Sequence, residues 1–122
     1  MIARFLSPVL LVAGLGFGGA AAAQNSGADI YKQRCAMCHT AKPDARSGIG
    51  PNLSGVYGRA AGSTDYKYSA ALKASKLKWD KPTLDRYLTF PGKMVPGTKM
   101  AVQVADKTQR EKLIAYLATL KR

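Results

Sequence analysis

Apolar positions are distributed in two different ways along this chain. From Phe5 to Phe17 they form one continuous run, preceded by a single positive charge at Arg4 and followed by small residues ending Ala21-Ala22-Ala23. Charge, short apolar run and an Ala-x-Ala site, in that order, describe a secretory signal peptide. The run is too short to cross a bilayer comfortably, which takes about 20 residues, so a cleaved leader is favoured over a retained anchor. Residues 1–23 are therefore expected to be removed as a signal peptide, leaving residues 24–122 as one exported domain.

Beyond the leader the apolar residues are spaced rather than continuous. Between Asp29 and Cys38, Ile30, Arg34 and Cys38 share one helical face while Tyr31 and Cys35 share its neighbour, which predicts a short helix. From Thr40 to about Tyr68 no period survives, because Pro43, Gly48, Gly50, Pro51, Gly55, Gly58 and Gly62 interrupt it. A structureless stretch of that length belongs in a small domain only when it has a task, such as wrapping an embedded group. Ser69 followed by Ala70, Ala71, Leu72 and Lys73 predicts a turn or two of helix. Asp80 is placed to cap another, with Pro82 in its first turn, Leu84, Tyr87 and Leu88 on one face, and Pro91 as its end. The segment from Gly92 to Ala105 reads as irregular. A last helix follows, with Thr108 and Glu111 as a capping box and Leu113, Tyr116, Leu117 and Leu120 as its apolar stripe. No segment keeps a period of two, so the fold class expected is all-α, with helices at both ends enclosing long loops and packing across one another.

Size and charge alter this picture in two ways. A single domain this small is only modestly stabilised by its own core, and its two cysteines lie in one Cys-x-x-Cys, where a bridge would close a very small loop. A cofactor built into the core would supply what is missing. The net charge of +12, from 19 basic and 7 acidic residues, implies acidic partners reached with electrostatic steering. Nucleic acid is disfavoured by export and by the scatter of the lysines.

The candidate chemistry is concentrated in Cys35-Ala36-Met37-Cys38-His39. Cys-x-x-Cys-His is a c-type heme attachment motif. Two thiols at this spacing reach the two vinyl groups on one porphyrin edge and form thioethers, and the next histidine then lies under the iron. A structural zinc site needs about four nitrogen or sulfur ligands, and the chain has two cysteines and one histidine in total. A thioredoxin-like pair would need a βαβ context, which is missing, and a local disulfide is the remaining alternative. A heme that only passes electrons needs both axial positions filled, and a thioether raises the potential relative to two nitrogens. Of the four methionines, Met1 leaves with the leader and Met37 lies inside the attachment loop. Met94 and Met100 remain. Met100 closes the turn-rich Val95-Pro96-Gly97-Thr98-Lys99-Met100, whereas Met94 suits core filling, and neither spacing nor period decides between them.

Several motifs in order carry a resemblance. Cys35 to His39, Gly50-Pro51-Asn52-Leu53-Ser54-Gly55, Gly58-Arg59, Trp79, Tyr87-Leu88, Pro96 to Met100 and Leu113-Ile114-Ala115-Tyr116-Leu117 resemble class I c-type cytochromes, close to the mitochondrial cytochrome c and bacterial cytochrome c2 group. The likeness covers nearly all of residues 27–122. It implies the small class I cytochrome c fold around one covalent heme c, attached through Cys35 and Cys38, with His39 and Met100 as the iron ligands. By the same resemblance, the Pro51 carbonyl accepts a hydrogen bond from His39, which fixes the imidazole. Arg59, Tyr68 and Trp79 would hold a heme propionate, because a carboxylate taken out of water needs donors. Tyr87 and Thr98 would line the methionine side. Gly27 and Tyr31 would meet Leu113 and Tyr116 where the terminal helices cross.

The chain also departs from that pattern. Leu72 stands where the mitochondrial proteins usually have a pocket asparagine, and Val102 stands where an aromatic commonly shields the heme edge. The stretch between Met100 and Thr108 is a residue shorter. The resemblance implies a soluble periplasmic monoheme one-electron carrier that is not an enzyme. Its partners would be acidic docking faces of redox complexes, such as a quinol-cytochrome c reductase, a terminal oxidase, a reaction centre or a dehydrogenase. It is expected to be a monomer with at most transient contact with a membrane surface. Arg34, Lys93 and Lys99 would lie near the exposed heme edge. The rival class is a heme enzyme or gas sensor, which needs an open iron site.

Overall fold

Five helices form the regular structure of the residues described by the computed structural model, residues 25–122 together with Gly14 and Gly16. The reading of residues 1–23 as a leader falls, those two glycines apart, outside the described residues. In chain order the helices are α1 (Gly27–Arg34), α2 (Ala70–Ala74), α3 (Lys81–Thr89), α4 (Pro91–Met94) and α5 (Lys107–Leu117). The β-pairing among the described residues is an isolated antiparallel bridge between Ala60 and Lys78, so the all-α expectation holds.

Local chemistry explains where each helix starts. Ser26 and Asp29 form a reciprocal capping box at α1, a signal the periodicity argument did not use. Ser69 caps α2 through the Leu72 amide, and Asp80 caps α3 through the Thr83 amide. Two expectations are corrected. Pro91 does not merely end α3: the α3 C-cap is Phe90, and Pro91 opens the separate turn α4, where its missing N–H costs no hydrogen bond. At α5 the cap is Asp106, whose carboxylate accepts from the Gln109 amide. Thr108 is then already helical, so the Thr108–Glu111 capping box does not form. Asp106 and Thr108 both carry cap-type side chains, and Asp106 starts the helix two residues nearer Val104.

The terminal helices pack directly, as expected. A Cβ at Gly27 would come 2.2 Å from the Lys112 carbonyl oxygen and 2.8 Å from Tyr116 Cβ, so only glycine permits this approach. Tyr31 and Tyr116 pack with their rings tilted, at 5.4 Å between ring centroids. Ile30 from α1 and Leu113 from α5 are almost wholly enclosed, and Leu84 and Leu88 of α3 join the same core. The rest of the interior is bounded by loops. Residues 40–68 contain no helix, and they are held by turn hydrogen bonds and by the polar side chains of Asn52, Arg59 and Tyr68.

A cavity bounded by a histidine, two thiols and a thioether

The end of α1 delivers the Cys-x-x-Cys-His motif to an internal cavity. Cys35 is the C-cap of α1, its amide donating to the Tyr31 carbonyl. The Cys38 and His39 amides both donate back to the Cys35 carbonyl, at 3.1 and 2.9 Å. This tight turn puts Cys35, Cys38 and His39 on one wall of a cavity of about 340 Å³. The cysteines are free thiols rather than a disulfide. Burial pushes the Cys35 thiol up to about 11, against the opposing pull of the Arg34 charge.

The His39 ring is fixed from two sides. Its Nδ1 lies 2.7 Å from the Pro51 carbonyl oxygen; a carbonyl only accepts, so Nδ1 carries the proton and Nε2 keeps its lone pair. Burial lowers the imidazole pKa, opposed in part by that hydrogen bond, and so favours the neutral ring. On the other side, a Cβ at Gly50 would sit 2.8 Å from His39 Cε1 and 3.0 Å from Nδ1. Gly50 is thus a residue of the site that spacing alone did not single out.

The remaining walls come from the loops and α3. Met100, Thr98, Tyr87, Trp79, Tyr68, Arg59 and Pro51 all line the same cavity as Cys35, Cys38 and His39, so every site residue expected from the sequence is brought together. Tyr87 Oη and Thr98 Oγ1 are 2.6 Å apart, and Trp79 packs on Tyr87 at 4.9 Å between ring centroids. Burial raises the Tyr87 pKa, partly offset by Thr98. Met94, the rival of Met100, sits at the end of α4 and packs against the core without lining the cavity. Met37 is 74% exposed. Leu72 is buried in the cavity wall, where it offers apolar surface and no hydrogen-bonding group.

The polar groups of the wall are engaged unevenly. Arg59 donates from Nη1 to the Ser54 carbonyl at 2.8 Å and from Nη2 to the Asn52 carbonyl at 2.9 Å. Its Nε is buried without a partner. Tyr68 Oη pairs with Thr64 Oγ1 at 2.5 Å. Asn52 is a brace the sequence reading did not identify: its side-chain nitrogen donates to the Lys42 and Ala45 carbonyls, and its oxygen accepts from the Ser54 amide. Of the three basic residues expected near the cavity edge, Arg34 and Lys99 line it, whereas Lys93 on α4 does not. Ile49 and Val102 line the cavity too, yet are 74% and 37% exposed, so the wall reaches the surface beside them.

The cytochrome c family profile matches residues 24–121. The chain belongs to the cytochrome c family. It is 46% identical over 93 residues to a cytochrome c of Gibberella zeae, covering 75% of this chain and 88% of that one. A cytochrome c of Theileria annulata is 48% identical over 92 residues, covering 75% and 80%. Among solved structures, cytochrome cH from Methylobacterium extorquens superimposes with a TM-score of 0.70 at 40% identity, over 76% of this chain and 94% of that one. The fold is that of class I cytochromes c, and the family consists of electron carriers, not enzymes, with one covalent heme c and its iron.

The residues present fit that group. Interiors of small domains are close-packed, so an apolar cavity of about 340 Å³ at the centre of one is a binding volume rather than a packing fault. The partnerless Arg59 Nε offers a buried donor for an acidic substituent. Among the described residues no group of three or more His, Cys, Asp or Glu side chains converges. The donors at hand are one imidazole, two thiols and one thioether.

Proposed function

We propose that the chain is an exported, periplasmic monoheme carrier of single electrons, with residues 1–23 removed as a leader, Cys35 and Cys38 as the attachment thiols, and His39 and Met100 as the two iron ligands. The bound heme supplies an iron that alternates between ferric and ferrous. Everything else falls to the chain. His39 presents Nε2 because Nδ1–H is held by the Pro51 carbonyl. Thr98 and Tyr87 fix the loop just before Met100 through their mutual hydrogen bond. Leu72, Val56 and Leu84 make the surroundings apolar, which disfavours the more highly charged iron state and so raises the potential. Arg59 offers its Nε to a propionate, while its two terminal nitrogens hold the loop that frames it.

The observation that carries this reading is that His39 and Met100 line one cavity, with Met94 outside it. A filled coordination sphere favours electron transfer over ligand activation. The surface at Ile49 and Val102, bordered by Arg34 and Lys99, is the side from which an acidic redox complex would approach, in weak and salt-sensitive encounters. A quinol-cytochrome c reductase, terminal oxidase, reaction centre or dehydrogenase is a partner of this kind.

The test is the absorption spectrum of the purified ferric protein. The long-wavelength band of thioether-bound iron is expected in the wild type and should vanish in Met100→Ala while persisting in Met94→Ala; persistence in Met100→Ala would sink the assignment. Export is checked separately by the N-terminus of the protein recovered from the periplasm, expected at Gln24.

A further inference from the structure

The loop that carries Met100 is anchored on both sides by α3, and one of the two anchors depends on a buried arginine from α5. Upstream, the anchor is the Tyr87–Thr98 hydrogen bond. Downstream, the Val104 amide donates to the Leu88 carbonyl at 2.8 Å, and the Val104 side chain is 1% exposed. Both Val104 and its neighbour point their carbonyls at Arg110, whose Nη1 donates to Val104 O at 3.1 Å and to Ala105 O at 2.7 Å. Arg110 Nε pairs with Asp85 Oδ1 of α3 at 2.9 Å. The arginine is 8% exposed as a residue and belongs to no wall of the cavity.

A buried guanidinium is costly unless its donors are engaged, and here they bind two loop carbonyls and one carboxylate on a neighbouring helix. Apolar packing of α5 on α3 would not need a charge at this position. What the charge adds is a direction: it ties the loop's last residues to α3 and α5 together. Between the two anchors, residues 99–103 are held through side chains: Lys99 Nζ donates to the Lys67 carbonyl and lies over the Tyr66 ring, Arg34 donates to the Gln103 carbonyl, and Met100 packs against the core.

We infer that Arg110 is a positioning residue for Met100: by clamping Val104 and Ala105 against α3 it limits how far the loop can swing, and so how readily the thioether leaves the iron. The inference rests on the proposed axial role of Met100. Its chemistry is a local opening rather than global unfolding. If the loss of these buried, charge-assisted bonds falls on the opening of the loop, opening becomes about tenfold or more easier.

The test is the rate at which added imidazole replaces the thioether in ferric holoprotein, followed by loss of the long-wavelength band, in wild type, Arg110→Gln, Arg110→Lys and Asp85→Ala. Gly27→Ala, which strains the terminal-helix crossing at Lys112 and Tyr116 but removes no hydrogen bond of the clamp, serves as a control of comparable or greater global destabilisation. A rate at least about tenfold above wild type is expected in Arg110→Gln, with a smaller rise in Arg110→Lys and Asp85→Ala and little change in Gly27→Ala. If Arg110→Gln does not fold, the Lys and Asp85 variants carry the comparison. Equal rates in wild type and the arginine variants, or a rise no larger than that of Gly27→Ala, overturn the clamp. Hydrogen exchange of the Val104 amide gives a second readout that does not involve the iron. Faster exchange in the arginine variants with unchanged exchange at Ile30 supports the clamp even if the wild type lacks the thioether band, an outcome that would instead defeat the Met100 assignment.

Discussion

The α1–α5 crossing and the loop wall of residues 40–68 and 95–105 sit on opposite terms with the interior. At the crossing, side chains fill the space between two helices and backbones touch through Gly27. Along the loops, side chains are engaged in holding their own backbone, as Asn52 and Arg59 do, and the space in front of them is left for a cofactor. Helix packing is self-sufficient because an amphipathic face needs only another face. A loop wall has no such partner, so its shape has meaning only around the group it encloses. The lesson is that one small domain can join a part stabilised by its sequence with a part stabilised by its ligand.

Removing the attachment thiols tests that contrast most severely. In a Cys35→Ala, Cys38→Ala double variant that holds no heme, the cavity of about 340 Å³ loses the group that fills it, and the cost is expected to be comparable with the whole stability of a small domain. Circular dichroism should show loss of the cooperative native state, and hydrogen exchange should show residues 40–68 losing protection before Ile30 and Leu113. Simultaneous loss in both regions would erase the distinction.

The converse experiment strains the crossing and spares the cavity. Gly27→Ala gains about 1 kcal/mol of helix propensity but drives a Cβ into a backbone carbonyl that no rotamer change can move, so a net loss of about 2 kcal/mol is expected in denaturant melts. The thioether band should stay in place. Smaller still is the effect of the helix start: Asp106→Ala should cost about 1 kcal/mol, whereas Thr108→Ala should cost well under half of that, since Asp106 is the residue bonded to the Gln109 amide. Equal costs would restore the Thr108 cap. The smallest effect is at high pH. Burial holds the Tyr31 phenol up at about 12, so its protonated form is favoured by folding; that contribution is complete below about pH 10 and is lost as pH rises toward 12. Tyr31→Phe should remove one late phenolate step from a spectrophotometric titration.

Much of this molecule is legible in its sequence. Amphipathic spacing and cap chemistry placed α2 and α3 correctly, because the signals are local: Ser69 and Asp80 each bond an amide three residues on. The same approach misplaced the start of α5 and missed α4. Asp106 and Thr108 are both cap-type residues, and it is Asp106, just after the Val104 amide bonded to the Leu88 carbonyl, that caps the helix. The Pro91 turn carries no period to detect. Family resemblance, rather than spacing, led to Arg59 and Tyr68, and what it implied needed refinement: most of the polar reach of Arg59 goes to the carbonyls of Asn52 and Ser54.

By itself the sequence determined the heme motif, the helical ends and the basic charge, since each is a matter of residue type and short spacing. It could not show that Gly50 makes room for the His39 ring, nor reveal that Arg110 reaches across to Asp85 and Val104. Those relations join residues far apart in the chain through loops without periodicity. Only the tertiary structure decided them, because the path of a loop is set by the hydrogen bonds it finds in space and not by the order of its residues.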